Sequence, residues 1–218
     1  AKFEKNLPVL LAMVGIWHRN ICKYPSRAIL PYEQRLSILP SYLQQLDMES
    51  NGKRVNLKGD YVDLDTAPIV WGEAGTNGQH AFFQMLHQGS DIIPVDFIAF
   101  KEKLLDSPKT QAASEKLEAN LFAQMYALAH GENNEVPNKH FFGKRPSVFV
   151  QLDVLSPESL GYLLSFYENK IMFQGFLWDL NSFDQEGVQL GKKIANNILS
   201  ESSFLTKNKT IQQLIDKF

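Results

Sequence analysis

Three groups of residues have the types and spacing to do chemistry. Gln45 and Glu49 stand four apart in a leucine-patterned segment, so on a helix an amide and a carboxylate share one face. Glu49 then falls in the last turn, just before the turn signal Ser50-Asn51-Gly52. A carboxylate at the negative end of a helix is disfavoured, which calls either for full solvation or for a purpose. His80 follows the glycine-rich segment Gly72-Glu73-Ala74-Gly75-Thr76-Asn77-Gly78. It stands at the expected start of a helix, whose positive end disfavours imidazolium and suits a neutral imidazole that donates or relays a proton. Gln185 and Lys192 are seven apart, two turns and about 10 Å along one helical face. Each group also has a plain reading: a solvated face for the Gln–Lys pair, a structural histidine, and a tight turn for the glycines.

Other chemistries are poorly supported. The glycine segment is neither GxGxxG nor GK[ST], which speaks against a nucleotide site, although its position between strand and helix is where open α/β sheets hold anions. Of the five histidines only His80 and His87 can share a helical face, and no HExxH or nearby cysteine accompanies them, so no metal site is expected. The basic cluster Lys139, His140, Lys144 and Arg145 is modest, and its neighbours Phe141 and Phe142 suit burial better than base stacking.

The elements that must position these residues follow from apolar periodicity. Helices are expected over residues 2–20, with Phe3, Leu7, Leu10, Leu11, Val14 and Trp17 as the buried stripe, over 33–48 with Pro40 as an irregularity, and over 80–88 and 114–130. A further helix over 157–173 has Ser156 as N-cap and Pro157 in its first turn, and two more cover 183–199 and 210–218. Short strands are expected over 26–30, 69–71, 92–100 and 147–152. Strands alternating with helices, without hairpin turns, predict a three-layer α/β/α doubly wound domain with a mostly parallel sheet over residues 1–182, followed by a helical arm over 183–218.

Composition sets the outer bounds. With 218 residues, 44% hydrophobic and 21% charged, the chain has the make-up of a globular domain. A formal net charge of -2 exerts no overall pull on nucleic acid or an anionic membrane. The single cysteine, Cys22, allows no internal disulfide and makes a cytoplasmic setting the default. The longest apolar run, residues 8–17, is about half the roughly 20 residues needed to cross a bilayer, so a soluble protein is expected. The chain opens at Ala1 inside an amphipathic pattern, and a piece of something longer is expected.

Three blocks together carry a resemblance: Asp47-Met48-Glu49-Ser50-Asn51-Gly52-Lys53; Trp71-Gly72-Glu73-Ala74-Gly75-Thr76-Asn77-Gly78-Gln79-His80-Ala81-Phe82; and Phe183-Asp184-Gln185-Glu186-Gly187-Val188-Gln189-Leu190-Gly191-Lys192. Their content and order resemble the C-terminal portion of the glucose-6-phosphate isomerase family, and His87-Gln88-Gly89 and Pro94-Val95-Asp96-Phe97 fit as well. The resemblance implies a sugar-isomerase (SIS) domain with a C-terminal helical arm. It also implies interconversion of glucose 6-phosphate and fructose 6-phosphate through a cis-enediol, without metal or organic cofactor, in a homodimer. Glu49 resembles the base that moves the proton between C1 and C2, and Gln45 a neighbouring substrate contact. His80 resembles a histidine that assists ring opening from across the dimer interface, Lys192 its ring-opening partner, and Gln185 a group at the phosphate end of the substrate.

Ala74 departs from the proline usual in the family, and Glu186 from a frequent aromatic. The family's serine- and threonine-rich phosphate loop and its enediolate-stabilising arginine belong to an N-terminal domain, and no such loop occurs in this sequence, so the isolated chain is expected to be inactive. The alternative from another class is a noncatalytic phosphosugar-binding SIS module of a regulator. Glu49, His80 and Lys192 together favour the isomerase.

Overall fold

Four strands, β1 (Ser26–Pro31), β2 (Ile69–Gly72), β3 (Val95–Glu102) and β4 (Ser147–Val154), form one sheet in the order β2-β1-β3-β4. Every neighbouring pair is parallel, so each connection must cross over through a helix. The computed structural model describes residues 2–102, 108–184, 186–200 and 208–217. The chain divides into two compact units, Ala1–Ser182 and Phe183–Phe218. In the first, α1 (Leu7–Ile16), α2 (Leu39–Asn51), α3 (Gly75–Gln88), α4 (Pro108–His130) and α5 (Pro157–Leu177) surround the sheet. In the second, α6 (Glu186–Ser200) and α7 (Lys209–Ile215) are the described helices. Among the described residues no helix is long and apolar enough to cross a membrane.

Strand alternation builds two cores. Ala28 and Leu30 of β1 and Val95 and Phe97 of β3 point to one face, where Phe83 and Leu86 of α3 and Leu121 and Leu128 of α4 cover them. Ile29, Ile98 and Phe100 point to the other, beneath Leu11, Leu43 and Leu163 from α1, α2 and α5. A sheet buried on both faces is the doubly wound, three-layer arrangement that the alternation of strands and helices predicts.

Where local pattern and packing disagree, packing prevails. Of the expected stripe of the first helix Leu11 is buried, but most of it is exposed, with Leu7 at 63% and Trp17 at 60% of full accessibility, and Ala12 and Gly15 complete the buried face. Gly15 faces α5, where an added Cβ would meet the end of the Gln174 side chain. The helix ends in a π-turn over Trp17–Ile21. Pro40 interrupts nothing: α2 begins at Leu39, and Pro40 sits in its first turn, where its missing N–H costs nothing. A short 3₁₀ turn over Gln34–Leu36 precedes it.

The glycine-rich segment is mostly helix. α3 begins at Gly75, so His80 lies in its second turn rather than at its positive end. Gly75 is required by contact, because a Cβ there would lie 2.6 Å from the Tyr32 ring. Ser156 and Ser159 form a reciprocal capping box at the start of α5, with Pro157 in the first turn. That helix runs on to Leu177, and α4 extends back to Pro108.

Candidate active site

α2 carries the carboxylate. Its Leu39 and Leu43 bury against the sheet, and Asp47, Ser50 and Asn51 continue that buried face to the last turn. Gln45 and Glu49 project from another side, where Gln45 is exposed, Glu49 half-buried, and Gln45 Nε2 donates to Glu49 Oε2 at 3.3 Å. The spacing therefore brings this pair together as the sequence predicts. An amide donating to a carboxylate orients it while leaving its second oxygen open for proton transfer.

The buried side of that turn is polar and anchored. Lys170 of α5 donates to Asp47 Oδ2 at 2.6 Å, with both side chains almost fully buried. Asn51 Nδ2 donates to the Ile171 carbonyl at 2.9 Å, and Asn51 Oδ1 accepts from Ser182 Oγ. α5 is in turn held to the sheet, where Tyr167 donates its hydroxyl to Asp96 Oδ2 at 3.2 Å and Arg27 pairs with both Asp96 oxygens. Burial pushes the Tyr167 hydroxyl pKa well above the ordinary tyrosine value, with the Asp96 charge adding to it, so this phenol stays a donor. Burial also lowers the Lys170 pKa, an effect that the Asp47 carboxylate opposes.

His80 is exposed on α3, in the helix that follows β2 directly. The preceding residue, Gln79, donates to Tyr32 Oη at 3.1 Å, just past the end of β1. His80 is therefore beside the edge where the strands end. Glu49 is at the other edge: Asn51, two residues on, accepts from Ala67 N near the start of β2. The two stand at opposite edges of the sheet, separated by about the length of β1, on the order of 20 Å. Lys192 is exposed on α6 in the second unit, beside Glu186, Gln189 and Asn196 in a shallow furrow along that helix. Gln185 lies outside the described residues. Among the described residues, no cluster of histidine, cysteine, aspartate and glutamate has metal-holding geometry.

Lys170 escaped the sequence reading, although a signal was present. Leu163, Tyr167, Lys170, Ile171 and Gln174 recur at helical spacing, so a lysine sits on the buried face of α5, where an unpaired charge is not tolerated.

An open, wholly parallel sheet covered by helices on both faces, with its order reversing between β1 and β3, defines a doubly wound three-layer α/β protein. Within that class the chain belongs to the phosphoglucose isomerase family, whose model matches residues 1–213. It is 52% identical over 201 residues to the glucose-6-phosphate isomerase of Protochlamydia amoebophila, covering 91% of this chain and 37% of that protein. It is 54% identical over 200 residues to the glucose-6-phosphate isomerase of Treponema denticola, covering 90% and 38%. A crystal structure of a glucose-6-phosphate isomerase from Chlamydia trachomatis superposes with a TM-score of 0.87 at 46% identity, over 96% of this chain and 41% of that one. The chain thus spans less than two-fifths of the length of these curated relatives.

Proposed function

We propose that this chain is the C-terminal part of a cytoplasmic aldose–ketose isomerase that interconverts glucose 6-phosphate and fructose 6-phosphate. Residues 1–182 form its C-terminal sugar-isomerase domain and 183–218 its helical arm, with the phosphate loop and an enediolate-stabilising arginine supplied by an N-terminal domain. Glu49 takes the proton from one of the two carbons flanking the carbonyl interchange and returns it to the other, passing through a cis-enediol. One carboxylate suffices, because acid and base roles alternate on the same group. Gln45 orients Glu49 and contacts substrate, Gln185 contacts the phosphate end, and His80 and Lys192 open the ring by moving protons on and off its oxygens.

The observation that carries this reading is the Gln45–Glu49 pair, half-open on one side of α2 and anchored on the other. The names of the relatives, all isomerases of this kind, support the substrate. The distance between sheet edges supports a homodimer in which His80 serves the Glu49 of the partner subunit. An arrangement within one chain would need a carboxylate and an imidazole on the same edge.

The deciding measurement uses the intact polypeptide with fructose 6-phosphate, following isomerisation and exchange of the C2 proton of glucose 6-phosphate with solvent. Glu49→Gln should lower kcat by several orders of magnitude with little change in KM. Phosphosugar binding with neither isomerisation nor exchange in the unmodified protein would identify a noncatalytic regulatory module instead.

A further inference from the structure

We propose that the buried Lys170–Asp47 pair is a positioning device for Glu49, fixing the last turn of α2 in a single register on α5. The inference rests on the reading of Glu49 as the proton-transferring base.

Helix ends fray, because the final carbonyls lack intrahelical partners. In α2 that turn bears the one carboxylate asked to reach two adjacent carbons, where a displacement of about 1 Å can cost roughly 100-fold in rate. Earlier in α2, Leu39 and Leu43 make apolar, weakly directional contacts with the core, and Tyr42 donates its hydroxyl to Glu168 Oε1 of α5 at 2.7 Å on the exposed rim. The buried directional contacts gather at the end: Lys170 to Asp47 at 2.6 Å, and Asn51 to the Ile171 carbonyl at 2.9 Å. They bracket Glu49 by two residues on each side and come from adjacent positions on α5. The path continues to the sheet through Tyr167 and Asp96. Glu49 is thereby referred to the strands rather than to the free end of its own helix.

A buried ion pair is a poor choice for stability alone, since apolar replacements of similar volume are often neutral or stabilising. Its distinctive property is intolerance of slippage, because any shift leaves two buried charges without their partner. The pair is also imperfectly satisfied. Among the described residues Asp47 Oδ1 has no hydrogen-bond partner, so Lys170 is the side-chain partner that holds this carboxylate.

The test compares four forms of the intact enzyme: wild type, the apolar pair Asp47→Leu/Lys170→Met, the neutral hydrogen-bonding pair Asp47→Asn/Lys170→Gln, and Glu49→Gln. Melting temperature, kcat, KM and the fraction of C2 deuterium delivered to C1 rather than lost to solvent are measured for each. The apolar pair should melt at or above the wild-type temperature, yet lose about 10- to 100-fold in kcat with KM within twofold. It should also deliver less deuterium, because a misaligned carboxylate holds the label long enough to exchange. The hydrogen-bonding pair should recover kcat to within a few-fold. A folded apolar pair with kcat and deuterium delivery near wild type overturns the proposal, as does a hydrogen-bonding pair that folds without recovery. Native-state hydrogen exchange on the unmodified enzyme needs no variant. The amides of Glu49, Ser50 and Asn51 should exchange as slowly as those of central α5, and fast exchange refutes the clamp even if the apolar pair does not fold. Full activity in Glu49→Gln overturns the underlying reading instead.

Discussion

Glu49 closes α2 beside the edge where the strands begin, whereas His80 lies on α3 beside the edge where they end, so the two occupy opposite margins of one sheet. The crossover between parallel strands makes this unavoidable: the chain leaves β1 at its end, returns along α2, and rises again through β2 before entering α3.

That separation has a direct consequence for mixed dimers. Intact Glu49→Gln and His80→Ala proteins should each be severely impaired. If each site takes Glu49 from one subunit and His80 from its partner, dissociation and random reassociation of an equal mixture should restore about a quarter of wild-type activity, since half the dimers are hybrids with one complete site. Absence of complementation, with hybrid formation verified by mass, places both groups in one subunit.

Ring opening and proton transfer separate by substrate. His80→Ala should impair use of cyclic fructose 6-phosphate far more than use of a four-carbon sugar phosphate that cannot close a ring. Comparing kcat/KM for the two substrates checks this, and equal losses remove the ring-opening role.

Packing at the start of α3 can be tested through Gly75. A Cβ there would stand 2.6 Å from the Tyr32 ring, so Gly75→Ala should destabilise by about 1–3 kcal/mol. Gly161 of α5 has nothing within 4 Å of its added Cβ. There the same substitution should stabilise by about 0.5–1 kcal/mol through helix propensity. Paired urea unfolding curves decide between these outcomes.

His18 predicts a pH dependence. Burial, aided by the nearby Arg27 charge, lowers its pKa from 6.5 to about 4. Between those values the unfolded chain binds a proton that the folded chain does not, so stability rises with pH across the window and is lost as pH falls through it. His18→Gln should flatten the slope of unfolding free energy between pH 4 and 6.5, relative to wild type. An unchanged slope would mean that His18 does not titrate differently on folding.

Much of this protein is legible in its sequence wherever the governing interaction is local. Ser156 and Pro157 announce the start of α5 because an N-cap and a first-turn proline act on adjacent residues. The alternation of strands and helices announces a layered parallel sheet, and the four-residue step from Gln45 to Glu49 already places them on one face. Contacts between residues distant along the chain decided the rest. The buried side of α1 is the one that meets α5, with Gly15 against Gln174, and most of the expected apolar stripe faces outward. Gly75 opens α3 against the ring of Tyr32, 43 residues earlier, where a glycine-rich pattern alone reads as a loop. The partnership of Lys170 with Asp47 joins positions 123 residues apart, and only the crossover path of the chain sets Glu49 and His80 at opposite sheet edges. Propensity and periodicity act over one or two turns, whereas the energy of an unpaired buried charge or an overlapping Cβ is defined only once the layers have met.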